Sequence, residues 1–125
     1  MDRDTRIARA ADLLAAVHRG GPRPVGLPDD VRPATADEAY TVQDAVVQRL
    51  DVPVVGWKVG ARSPEAEPNC APVLASVLGP EGPALDGNAF SMRGIEAEIA
   101  VRFARGLPPR DAVYGRDEVL DAIDG

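Results

Sequence analysis

The sequence predicts an α+β fold in which a helical N-terminal region, residues 1–51, precedes a β-rich region, residues 52–125. Two observations carry this. Apolar residues recur at spacings of three and four in the first region, whereas the second holds a β-branched run ending at Gly60 and an alternating run from Ile95 to Phe103. Helices followed by strands, without regular alternation of the two, disfavour a doubly wound sheet.

The first helix is expected over Thr5 to His18. Ile7, Ala11, Leu14 and Val17 line one face, Arg6, Arg9 and Asp12 lie between them, and Gly20-Gly21-Pro22 closes the segment. Pro22 to Pro33 holds four prolines and reads as an extended loop with few backbone hydrogen bonds of its own. Thr35 then opens a second helix: its hydroxyl can accept from the backbone three residues on, while Glu38 reaches back to the Thr35 amide, a capping box. Ala39, Val42, Val46 and Leu50 form its apolar face.

From Val52 to Val59 the run Val-Pro-Val-Val-Gly-Trp-Lys-Val is a strand, too short and too β-branched for a helix. Ala61 to Arg93 is rich in proline and glycine and predicts irregular loops with brief strands. In the next strand Ile95, Ala97, Ile99, Val101 and Phe103 face one way, and Glu96, Glu98, Ala100 and Arg102 the other. Gly106-Leu107-Pro108-Pro109 breaks it, and Asp117 to Ile123 begins an amphipathic helix with an acidic first turn.

With 14 basic against 20 acidic residues the net charge is −6, and no basic run is present. A phosphate backbone and a membrane surface are therefore disfavoured as partners. Cys70 is the single cysteine, which excludes an intramolecular disulfide and a thiolate metal cluster. The charged start Met1-Asp2-Arg3-Asp4 is unlike a signal peptide, and no apolar stretch reaches the ~18 residues of a membrane span. The expected compartment is the cytoplasm.

Glu96 and Glu98 are the most informative pair. In a strand they share a face with backbones ~6.5–7 Å apart, close enough for both carboxylates to reach one cation, and such hard oxygen ligands suit Mg²⁺ or Mn²⁺ better than zinc. The same pattern also marks the wet face of a half-exposed strand. Lys58 shares its strand face with Gly56 and Val54, and the missing side chain at Gly56 leaves room for a carboxylate substrate beside the ammonium. A lysine on an edge strand also blocks edge aggregation. His18, the single histidine, suits the C-terminus of the first helix, so a Ser–His or Cys–His nucleophilic centre is not expected. Tyr40 and Gln43 sit three apart on the second helix and face either a pocket or a half-buried helix flank. Cys70 reads as a small packed residue.

Four segments occur in an order and spacing similar to those of 2-keto-4-pentenoate hydratases and 4-oxalocrotonate decarboxylases of the fumarylacetoacetate hydrolase superfamily. They are Ala39-Tyr40-Thr41-Val42-Gln43-Asp44-Ala45, Gly56-Trp57-Lys58-Val59-Gly60, Asn69-Cys70-Ala71-Pro72 and Ile95-Glu96-Ala97-Glu98-Ile99-Ala100. The resemblance implies helices around a mixed β-roll, of which this chain holds the N-terminal half. It also implies a metal site of Mg²⁺ or Mn²⁺ with Glu96 and Glu98 as ligands, and Lys58 as the catalytic and substrate-binding lysine near a 2-keto carboxylate. The implied substrate is a small 2-keto or 2-hydroxy-dienoic acid, and the implied reaction is addition of water to 2-hydroxypenta-2,4-dienoate. Decarboxylation of 4-oxalocrotonate and hydrolysis of an acylpyruvate use the same chemistry, and a non-catalytic binding or oligomerisation module, pairing with its own copy or a full-length relative, is the other reading. The third acidic ligand is expected beyond Gly125, so the chain reads as a truncation with an incomplete active site. Ala75-Ser76 stands where some hydratases carry acidic residues.

Overall fold

In a computed structural model, described over residues 1–79, 82, 84–90, 92 and 94–124, the first helix, α1, spans Arg3–His18. Asp2 caps it: the Thr5 amide (2.9 Å) and hydroxyl (2.7 Å) both donate to the Asp2 carboxylate, which satisfies a backbone donor that the helix leaves open. At the other end Gly20 adopts φ +88°. The amides of Gly20 and Gly21 donate back to Val17 (3.0 Å) and Ala16 (2.9 Å), the paired bonds of a Schellman ending. A Cβ on Gly21 would lie 2.7 Å from the Ala16 carbonyl oxygen, so both glycines of the expected stop are required.

The second helix, α2, spans Ala36–Leu50, and Thr35 caps it as expected by accepting from the Glu38 amide at 3.2 Å. The return half of the capping box is displaced by one residue. Glu38 Oε2 accepts from the Ala34 amide at 2.8 Å, because Oε1 is drawn towards Arg6 (2.5 Å) and Arg3 (3.6 Å) on α1. Asp51 ends the helix in the left-handed region, with φ 52°.

Packing of α1 on α2 builds the core from Ile7, Ala10, Ala11, Val42 and Val46, with Leu14, Ala45 and Leu50 at its margin. The alanines let the two backbones approach closely, and each larger side chain contributes about 1.5–3 kcal/mol of burial. The proline-rich loop is more than a connection: a tight turn, in which the Val31 amide donates to Pro28 (3.1 Å), drops Val31 into this core, where it is 1% exposed. Arg49 adds a polar seam, reaching Asp12 at 2.6 Å and the Ala8 carbonyl at 3.3 Å.

Strand β1, Val54–Gly60, pairs antiparallel with β2, Asn69–Leu74. Val54 lies opposite Leu74 and Gly56 opposite Val73, so Val55 is an extra residue in a bulge. That bulge corrects one expectation. From Gly56 onward the alternation is intact, and Lys58, opposite Ala71, shares a face with Gly56, but the inserted residue shifts Val54 to the other face. Pro72 is tolerated in β2 because a two-stranded ribbon has only edge strands.

By backbone proximity the chain forms two compact units, Met1–Pro83 and Ala84–Gly125. In the second, α3 spans Arg116–Leu120, with Glu118 accepting from the Gly115 amide at 2.8 Å. Phe103 forms an isolated antiparallel bridge with Ile123, flanked by bonds from Ala104 to Ala122 and from Asp124 to Arg102, both 2.8 Å. The strand expected over 95–103 is otherwise not formed: residues 94–102 carry no regular secondary structure. Its intended buried face is open, with Ile95 and Ile99 each 97% exposed. An alternating segment becomes a strand only where another strand accepts its hydrogen bonds and another layer covers its apolar face, and neither is supplied here among the described residues. The last helix is likewise shorter than expected, stopping at Leu120 before Ile123. Arg93 and Gly125, which bound two of the expected segments, lie outside the described residues. The described chain is thus mixed α and β, with three α-helices and one two-stranded antiparallel sheet, and none of its helices is long and apolar enough to cross a membrane.

Candidate functional site

Lys58 stands on β1 between Trp57 and Val59, opposite Ala71, with its side chain exposed. Beside it on the same face, Gly56 leaves space: a Cβ there would meet only the Val73 Cβ, at 3.9 Å. That is ordinary contact, so the glycine is not forced by crowding.

Three of the four motif segments come together in the first unit. Asn69-Cys70-Ala71-Pro72 forms the start of β2 and pairs with Gly60 to Trp57 of the Gly-Trp-Lys-Val-Gly run. The Cys70 amide then donates to the Tyr40 hydroxyl of α2 at 3.3 Å, which ties the sheet to the helix that carries the first motif. Cys70 itself is half-buried with a free thiol.

Between α1, α2 and β2 lies a cleft of about 510 Å³. Its wall is apolar, including Leu14, Val42, Val46, Leu50 and Leu74, and its polar members are His18 and Gln43. Gln43 therefore faces a pocket, one of the two placements open to it from sequence. His18 at the end of α1 also lines the cleft, which helical position alone did not indicate. Ala39, assigned to the buried face of α2, is exposed at the edge of the same cleft.

Glu96 and Glu98 belong to the second unit, on the exposed segment without strand pairing. Their chemistry, two hard carboxylates, is of the kind Mg²⁺ or Mn²⁺ takes. No group of three His, Cys, Asp or Glu side chains that could hold a metal ion is found among the described residues.

Sequence reasoning missed one ionic cluster. Glu38 is buried, 9% exposed, between Arg6 and Arg3 of α1. The Ala34 amide bond and the two guanidiniums hold its carboxyl below the usual glutamate range, overcoming the opposite effect of burial. Arg6 Nε is buried with no hydrogen-bond partner among the described residues. The signal was present in the spacing, for Arg3 and Arg6 are one turn apart and share a helix face, but it needed the packing of α1 on α2 to acquire meaning. In the second unit Arg110 plays a similar part at the surface, bonding Glu118 at 2.7 Å and stacking 3.6 Å above the Tyr114 ring.

Compared with protein-family models, curated protein sequences and solved structures, the chain has no significant match.

Proposed function

We propose that this chain is the N-terminal portion of a metal-dependent hydratase acting on 2-hydroxypenta-2,4-dienoate or a similar 2-keto acid, a β-roll enzyme of the fumarylacetoacetate hydrolase type. The observation that supports the reading is the assembly of three separated motif segments in one unit. Tyr40 on α2 bonds the Cys70 amide on β2, and β2 pairs with the strand that presents Lys58. In this reading Lys58 binds the substrate carboxylate, Gly56 keeps the strand surface beside it open, and Glu96 and Glu98 supply two of the carboxylates for Mg²⁺ or Mn²⁺. When bound, the ion supplies Lewis acidity for enolate charge. A third acidic ligand comes from outside the described residues.

Metal binding tests this without requiring turnover. Two carboxylates hold Mn²⁺ weakly, so the purified chain should bind it with low affinity by electron paramagnetic resonance, and Glu96→Ala or Glu98→Ala should weaken binding by roughly tenfold or more. Hydration of 2-hydroxypenta-2,4-dienoate by the chain alone should be slow or undetectable. Full turnover that Glu96→Ala leaves untouched would sink the proposal.

A second reading is favoured by the uncovered apolar faces. Trp57 is 57% and Val59 65% exposed on β1, the kind of surface that marks an association site. In that reading the chain is a binding or oligomerisation module for its own copy or a full-length relative. Sedimentation separates the two: association that needs no metal and survives Glu98→Ala supports the module.

A further inference from the structure

We draw no further inference here: the strongest candidate, the apolar cleft between α1, α2 and β2 with His18 and Gln43 as its polar members, is an uncovered apolar face, and nothing in the structure shows what covers it.

Discussion

Glu38 shows how much can rest on one side chain. Its carboxylate accepts from the Ala34 amide at the start of α2 and fastens that start to α1 through Arg6 and Arg3. Because its carboxyl is held below the ordinary value of 4.5, the folded chain binds the proton less readily than the unfolded chain. Its contribution to stability is therefore fully present above that ordinary value, fades as pH falls through it, and is gone below the folded pKa. Urea unfolding between pH 7 and pH 3 should show this loss. Glu38→Gln should be less stable at pH 7 and lose less on acidification, whereas an unchanged pH slope in the variant would remove Glu38 from the account. Asp2 and Glu118 are lowered as well, each first by a hydrogen bond, to the Thr5 amide and to Arg110 respectively, so a residual slope is expected. At the opposite end of α1 the argument is steric instead of electrostatic. Gly21→Ala would push a methyl against the Ala16 carbonyl, and the expected cost is about 1–3 kcal/mol, read as a lower urea midpoint; a neutral effect would mean that the turn relaxes freely.

Elements whose signal is local were legible in the sequence, and those that need a neighbour were not. α1 and α2 follow from apolar spacing and caps within a few residues of one another, and their observed ends at His18 and Leu50 fit the Gly20-Gly21 stop and the change of pattern after Asp51. β1 was legible for the same reason, but the bulge at Val55 depends on the register with β2, and it alone moved Val54 off the Lys58 face. The segment 95–103 has the cleanest alternation in the chain and yet forms no ladder, because alternation describes what a strand would bury and not whether a partner is there. Of the candidate site, the placement of Lys58 beside Gly56 was readable from spacing. The Tyr40–Cys70 bond and the cleft lined by His18 required tertiary packing. This difference between elements is measurable by hydrogen exchange. Amides of residues 95–102 should exchange at nearly unprotected rates, while those of Ala10, Ala11, Val42 and Val46 should be the slowest in the chain. Strong protection at Ile95–Val101 would show that the segment is paired in solution and would reopen the strand geometry on which the Glu96–Glu98 metal reading depends.

At the scale of the whole molecule, burial is divided very unequally between the two units. Residues 1–83 contain the helical core and Leu74 of the sheet, whereas Ala122 is the single buried residue among those described in 84–124. Cooperative unfolding requires a core whose loss is shared by many contacts, and one alanine buries too little apolar surface to offset the backbone entropy of some forty residues, about 1–2 kcal/mol each. The second unit keeps a few hydrogen bonds and the Arg110–Glu118 pair, but an exposed ion pair is worth at most about 1 kcal/mol. Residues 1–83 prepared alone should therefore show helical circular dichroism and one thermal transition. Within it, Ile7→Ala should lower stability by about 2–4 kcal/mol, because Ile7 is the one isoleucine among the buried core residues. Residues 84–124 prepared alone should melt without a transition, their signal changing gradually with temperature. If that second stretch instead unfolds cooperatively, its fold must contain a strand or apolar layer beyond the Phe103–Ile123 bridge, and Ile95, Ile99 and Val101 are the side chains that would have to be in it.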